Sequence, residues 1–440
     1  MSHTMRFEVT PVNGHYLVSS AETGAMSLFT PAEYVVFTCL QNVAEKDKPK
    51  LIRGILTSLK CNPDKIEGFT DVFLRKLNQQ GWTRKDFQDQ DPQMLQMVYF
   101  SITTHCNLSC SYCYIGDDRR RPDHQMNYDD AVVILKKIKH FNPSARITVT
   151  GGEPFTHPDI FSILDLLEEL NLKFTIGTNA VLISESFAER LGNYHSLVYI
   201  QASLDGWTPE IHSITRGNSY QQTITGIKNL ISHRAPFAIS PTIHERNSHE
   251  MIDIARFAIS NGGFFAPNHL RKFPHAPQVQ QISLKSESLR KCIIETFEQI
   301  HKEFPKDAQP ETLNDSRCES MSASRCKYVC GNGCYTVDIN WNGDVYPCHL
   351  LREPGFILGN ILREGFETIL EKGKKSQTRT KSYQIPKCRT CPFVSTCAGG
   401  CRASAWYNHG TFAAEDEFCD ILYKFEVDKL FLGKGIHYQS

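Results

Sequence analysis

Three cysteines stand within eight residues in the stretch His105-Cys106-Asn107-Leu108-Ser109-Cys110-Ser111-Tyr112-Cys113. Thiolates at Cys-x3-Cys-x2-Cys spacing can hold three corners of a [4Fe–4S] cube. The fourth iron then has no protein ligand close in sequence. An open iron can bind and activate a small molecule, whereas a structural metal site closes its shell. Zinc loops favour Cys-x2-Cys pairs over this spacing.

A second constellation lies near the C-terminus, where eleven of the sixteen cysteines follow residue 276. Cys330 is followed by Gly343 after twelve residues, and Gly343 by Cys348 after four. Then come Cys388, Cys391, Cys397 and Cys401 in the order Cys-x2-Cys-x5-Cys-x3-Cys, and a last Cys419. Cys39, Cys61 and Cys292 read as buried apolar thiols.

The elements that must position these residues follow from periodicity. Apolar runs at 97–104, 146–150, 173–178, 197–203, 237–243 and 264–271 alternate with helical patterns such as 129–140, 159–170 and 248–260. Six such β/α units predict a parallel sheet curved into a partial (β/α)6 barrel. The cysteine loop follows the first strand, at the end where α/β barrels carry chemistry. Other strand ends carry Gly151-Gly152-Glu153-Pro154, Thr178-Asn179 and Ser203-Leu204-Asp205-Gly206, with His212 and Arg216-Gly217 just beyond. The paired glycines permit close backbone approach to a ligand, and Glu153 with free carbonyls can accept from an ammonium group. Arg216 can grip a carboxylate through its planar fork, or simply pair with Asp205. Residues 337–346 predict a hairpin turning at Asn342-Gly343, and 286–303 a bridging helix.

Residues 1–90 read as a smaller unit. Strands near 6–10, 15–19 and 24–29 precede three helical patterns. The first opens on Thr30-Pro31-Ala32-Glu33, an N-cap followed by proline. The third mixes Asp64, Glu67 and Asp71 with Lys65, Arg75 and Lys76, which is not a basic recognition helix. Residues 86–93 read as a linker.

With 48 basic and 48 acidic side chains, formal net charge is zero, so nothing invites nucleic acid or anionic lipid globally. No apolar run is long enough to span a membrane, and no secretory h-region opens the chain. Cysteine-rich without a secretion signal, the chain is expected in a reducing cytoplasm, using thiols for metals.

The cysteine loop, with Tyr112 before its third cysteine, resembles the signature of the radical SAM enzymes, and Gly151-Gly152-Glu153-Pro154 resembles their GGEP motif. The resemblance implies S-adenosylmethionine on the open iron of the Cys106/Cys110/Cys113 cluster, and a 5′-deoxyadenosyl radical that abstracts hydrogen from the substrate. It further implies cofactor contacts from Tyr112, Gly151, Gly152, Glu153, Pro154, Thr178, Asn179, Ser203, Asp205, Arg216 and Leu270. Thr242 and His244 are weaker carry-overs. The later cysteines resemble the SPASM pattern, which implies two auxiliary [4Fe–4S] clusters and three in all. One takes Cys330, Cys348 and Cys401, with Cys334 favoured as its fourth ligand over Cys326, Cys318 or an open site. The other takes Cys388, Cys391, Cys397 and Cys419. The first 90 residues resemble RiPP recognition elements, winged-helix-like modules that capture a leader peptide as an added strand.

The expected organisation is a recognition module at 1–90, a radical SAM core at 91–275, a bridge at 276–315 and a SPASM domain at 316–440. By resemblance the function is maturation of a ribosomally made precursor peptide, with an electron donor such as flavodoxin or ferredoxin. Side-chain cross-linking of the cyclophane or darobactin type is favoured over thioether formation. Sulfatase maturases carry an acidic residue where this chain has His349. Outside enzymes, an iron–sulfur electron carrier or peptide scaffold would share the clusters without needing the motifs at the strand ends.

Overall fold

The computed structural model describes residues 7–20, 25–41, 43–59, 61–80, 82, 95–116, 121–273, 276, 279, 281–283, 286–304 and 330–424. The expected linker at 86–93, and Cys318 and Cys326, lie outside the described residues.

The N-terminal unit is a three-stranded antiparallel sheet, β1 (Glu8–Val12), β2 (His15–Ser19) and β3 (Met26–Phe29), followed by α1 (Pro31–Cys39), α2 (Lys48–Ser58) and α3 (Pro63–Gln79). Thr30 caps α1 as its sequence requires. Its hydroxyl accepts from Glu33 N at 3.2 Å while the Glu33 carboxylate accepts from Thr30 N at 2.8 Å. Phe29, Phe37, Phe73 and Trp82 fill a separate core.

The central unit is a parallel sheet built from β4 (Met97–Thr103), β5 (Arg146–Gly151), β6 (Phe174–Thr178), β7 (Leu197–Ala202) and β8 (Phe237–Ile239). It is covered by α4 (Tyr128–Phe141), α5 (Ile160–Glu169), α6 (Glu185–Gly192), α7 (Pro209–Arg216), α8 (Tyr220–Ser232) and α9 (Met251–Ser260). The strands are mainly apolar because both faces are buried. The fifth and sixth expected strands each break in two. β8 and β10 (Phe264–Phe265) stay in the main sheet, while β9 (Thr242–Ile243) and β11 (Asn268–His269) pair separately. Pro241 and Pro267 stand at the breaks, where a residue without N–H cannot continue the ladder. The bridging helix α10 (Ser286–Glu303) packs on α9, with Arg256 on Glu303 at 2.7 Å.

The C-terminal hairpin β12 (Thr336–Ile339) and β13 (Asp344–Tyr346) turns through Trp341–Gly343, with Gly343 left-handed at φ +83°. It is not a separate layer. β12 pairs in parallel with β4, Thr336 opposite Met97 and Ile339 opposite Phe100. With β14 (Gly359–Asn360) the main sheet has nine strands among the described residues, in the order β10-β8-β7-β6-β5-β4-β12-β13-β14. The strand leading into the cysteine loop is therefore interior to the sheet.

Candidate active site

The cysteine loop leaves β4 at Thr103 and is clamped from the side by the end of β5. Gly152 N donates to the Thr103 carbonyl at 2.7 Å, and Glu153 N to the His105 carbonyl at 2.8 Å. A Cβ on Gly151 would lie 2.0 Å from the Thr103 carbonyl oxygen, and one on Gly152 2.1 Å from that of His105. Gly151 also sits at φ +142°. The two glycines are thus required by the approach of the chain to itself.

Glu153 joins three strand ends. Its buried carboxylate accepts from Thr178 Oγ1 at 2.8 Å, Asn179 N at 2.8 Å and Phe155 N at 3.2 Å. Burial pushes its pKa up to about 7, against the pull of these bonds. Pro154 opens the short turn Pro154–Thr156. Asn179 donates from Nδ2 to Asn107 Oδ1 at 2.8 Å and stands 3.9 Å from Cys106 Sγ. Beside the ammonium contact expected from the sequence, its oxygens hold the chain together.

Asp205 is the second hub, with no exposed surface. Oδ2 accepts from Tyr112 Oη at 2.7 Å, Thr215 Oγ1 at 2.9 Å and Arg216 Nε at 2.8 Å, and Oδ1 accepts from Thr242 N at 2.9 Å. Burial alone would raise this carboxyl, but the Arg216 charge and the hydrogen bonds hold it below its ordinary value. Arg216 also meets the Tyr112 hydroxyl through Nη2, and its Nη1 lies 3.9 Å from Cys110 Sγ. The ion pair weighed in the sequence is present, and it lies beside the cysteine loop. His212 supports this hub: Nδ1 accepts from Asp205 N at 3.3 Å and Nε2 meets Ser219 Oγ at 3.0 Å. Burial and the Arg216 charge push it down to about 4. A Cβ on Gly206 would meet His212 N at 2.3 Å. Ser203 N donates to the Thr178 carbonyl at 3.0 Å, which puts Ser203 level with Thr178. Leu270 packs in an apolar cluster that includes Tyr112. His244 is buried, with N on Asn247 Oδ1 at 2.7 Å and Nδ1 accepting from Arg246 N.

The thiols fall into three groups. Cys106 lies within electrostatic reach of Cys110 and Cys113, and burial pushes it up to about 12. Cys348 is coupled to Cys330 and Cys401. Cys397 is coupled to Cys388, Cys391 and Cys419, and burial raises it to about 12 and Cys388 to about 11. A buried thiol binds as thiolate only when a metal's positive charge replaces its proton, so loading releases protons. Among the described residues, no three His, Cys, Asp or Glu side chains close around a single ion. Sets of soft thiolate donors suit iron–sulfur chemistry. Cys334 is 1% exposed, on the same loop as Cys330.

Sequence reasoning missed a third hub at the seam of the two units. Asp338 on β12 accepts from Ser101 Oγ of β4 at 2.8 Å and from Arg352 Nε and Nη2 at 2.8 and 2.9 Å. The signal was present in Thr336-Val337-Asp338-Ile339, where a carboxylate interrupts an apolar strand. Arg271, just after β11, ties the barrel to Asp416 at 3.2 Å, and Asp416 Oδ2 accepts from Cys401 N at 2.6 Å.

Comparison with known proteins agrees with this geometry. The Radical SAM superfamily model matches residues 100–258, and the SPASM iron–sulfur cluster-binding domain model matches residues 330–392. The AdoMet-dependent heme synthase of Methanosarcina barkeri is 24% identical over 346 residues, covering 74% of this chain and 96% of that protein. The antilisterial bacteriocin subtilosin biosynthesis protein AlbA of Bacillus subtilis is 27% identical over 320 residues, covering 69% of this chain and 66% of AlbA. The crystal structure of Streptococcus suis SuiB bound to precursor peptide SuiA superposes with a TM-score of 0.61 at 16% identity, covering 94% of this chain and 99% of SuiB.

Proposed function

Because the chain belongs to the radical SAM enzymes that carry a SPASM domain, we propose that it matures a ribosomally made precursor peptide, forming an intramolecular side-chain cross-link, carbon–carbon or ether. The observation that carries this reading is where the N-terminal sheet docks. Leu17 and Leu28, with Val12 and Met26, pack on Phe393, Cys391 and Tyr423 beside the auxiliary thiols. β3 is an edge strand of its sheet. A leader added along β3 would be held on a surface continuous with the enzyme, which suits a tethered peptide better than a free metabolite. The bond is the finer part of the proposal, and the bound peptide in the SuiB structure supports a peptide substrate only by analogy of fold.

When bound, the cluster and S-adenosylmethionine supply the 5′-deoxyadenosyl radical that removes hydrogen from carbon. We assign Cys106, Cys110 and Cys113 to that cluster, and Cys330, Cys334, Cys348 and Cys401 with Cys388, Cys391, Cys397 and Cys419 to two auxiliary ones, three in all. The chain's own residues do the placing. The clamp of Gly151 and Gly152 fixes the loop's entry, and Glu153 and Asn179 hold its first cysteine side. Asp205 locks Tyr112 and Arg216 against its second. Ser203, Thr178 and Leu270 line the cofactor side of the strand ends. A flavodoxin or ferredoxin provides the electron.

The test is a high-resolution mass of the short peptide encoded beside this gene, co-expressed anaerobically with the protein. The expected result is loss of two hydrogens per event, absent with Cys106→Ala/Cys110→Ala/Cys113→Ala. Fragmentation and thiol alkylation then separate a carbon–carbon or ether bond from a thioether. Modification persisting in the triple variant, or an unchanged mass with the wild type, refutes the proposal.

A further inference from the structure

The hub at Asp338 contains a cation that its own fold leaves incomplete. Arg352 places Nε and Nη2 on Asp338 and Nη2 also on the Ser101 hydroxyl, yet its Nη1 is buried with no hydrogen-bond partner among the described residues. A guanidinium cannot shed its proton to escape this. A buried N–H without an acceptor is costly, and native structures leave few of them. A second orphan lies close by: His349 Nδ1 is also buried without a partner. Both side chains touch one ring. The Arg352 guanidinium lies 5.4 Å from the centre of Tyr114, and the His349 ring 5.8 Å from it and 4.1 Å from Tyr99. Tyr114 follows Cys113, and His349 follows Cys348. The two unused groups therefore sit between the radical loop and the first auxiliary thiols.

We propose that Arg352 Nη1 and His349 Nδ1 form an anchor for one backbone amide of the substrate peptide. The inference rests on the peptide reading given above and names the subsite that holds the core. The charge balance selects the ligand. Asp338 already neutralises Arg352, so a substrate carboxylate here would bury a net negative charge, whereas a neutral carbonyl would not. Arg352 donates to the carbonyl oxygen. An imidazole nitrogen can accept from the neighbouring N–H. Such an anchor reads the main chain and leaves the side chains on either side free to be presented to the radical. It is a positioning site and takes no part in bond making.

The experiment uses the reconstituted full-length protein and the precursor peptide encoded beside its gene. One arm leaves the protein untouched: each core amide in turn is replaced by an ester, which removes the N–H and weakens the carbonyl as acceptor. One position is expected to raise KM about tenfold, equivalent to about 1.4 kcal/mol. The other arm uses His349→Phe, which keeps the ring stacking, and Asp338→Asn/Arg352→Gln, which keeps the buried site neutral. Each is expected to raise KM about tenfold and to consume more S-adenosylmethionine per modified peptide, with the affinity for the leader segment alone unchanged. In these variants the sensitive ester should cost nothing further. A flat ester scan, or variants with wild-type KM and coupling, overturns the anchor while leaving the peptide reading intact. A wild type that modifies no peptide overturns both.

Discussion

Replacing Asp205 by asparagine tests whether the hub beneath the cysteine loop is held by charge. In the wild type four donors converge on one carboxylate, at 2.7 to 2.9 Å, and the Arg216 side chain beside it is 9% exposed. An amide keeps one acceptor oxygen, but its NH2 must face donors. Hydrogen bonds to a charged group contribute about 1.5–3 kcal/mol each. Removing one partner of a buried ion pair costs about 3–5 kcal/mol, because the other charge stays behind. Asp205→Asn should therefore destabilise the barrel by about 3–5 kcal/mol, a large fraction of the roughly 5–15 kcal/mol that holds a domain folded. The sign with pH follows from the depressed carboxyl. Its stabilisation is complete above the unfolded value of about 3.9 and is lost as pH falls through the folded one. The gap between the proteins is thus full at pH 7 and closes only in acid. Urea unfolding at pH 7, followed by far-UV circular dichroism, measures it. Iron analysis adds a local readout, since Arg216 Nη1 lies 3.9 Å from Cys110 Sγ. A stability loss under about 1 kcal/mol with full iron content would show that geometry, not charge, holds the hub.

Four further outcomes follow from the structure. Gly152→Ala should displace the cysteine loop, because the new Cβ meets the His105 carbonyl at 2.1 Å; iron content should fall by one cluster's share, and full loading would contradict the clamp. Gly54→Ala is its counterpart: it has open space on α2, and the helix should gain up to about 1 kcal/mol in the urea midpoint. Glu153→Gln should flatten part of the pH dependence of stability. A carboxyl raised to about 7 in the fold, from about 4.3 unfolded, makes the wild type less stable as pH rises between those values, and equal slopes for the two proteins would refute this. Phe393→Ala removes the buried ring under the N-terminal sheet, a change of about 3–5 kcal/mol. Amide exchange should quicken in β2 and β3 specifically, and unchanged exchange there would mean that the module is held elsewhere.

What could be read from the sequence was local. The cap at Thr30 and the strand ends carrying Gly151, Thr178 and Ser203 follow from spacing within one element or its neighbour, whereas the sorting of the late cysteines into two sets came only from resemblance. The breaks at Pro241 and Pro267 were also legible, since proline cannot donate to the ladder, although continuous strands are expected there from the apolar runs. The roles of Gly152 and Glu153 were not legible. Both depend on backbone from another strand, and a motif shows which residues are special without showing what they touch. Least legible was the pairing of β12 with β4, which brings Asp338 to Ser101 across 237 residues. Periodicity identifies a strand but not its partner.

That pairing changes how the two cysteine constellations relate. Read as successive domains, the radical loop and the auxiliary thiols would be placed by a bridge whose geometry could vary. In the structure they hang from adjacent strands: β4 runs into Cys106, and β12, through its hairpin with β13, into Cys348. β13 runs antiparallel to β12, so Cys348 leaves the sheet level with the start of β4 while Cys106 lies past its end, and both are placed by one continuous sheet and the bonds among Ser101, Asp338 and Arg352. The polar hub at the seam also explains why a buried charge pair is tolerated inside an otherwise apolar sheet. A well-packed hydrophobic pair would hold the strands as firmly, but only the guanidinium leaves a buried donor without a partner among the described residues.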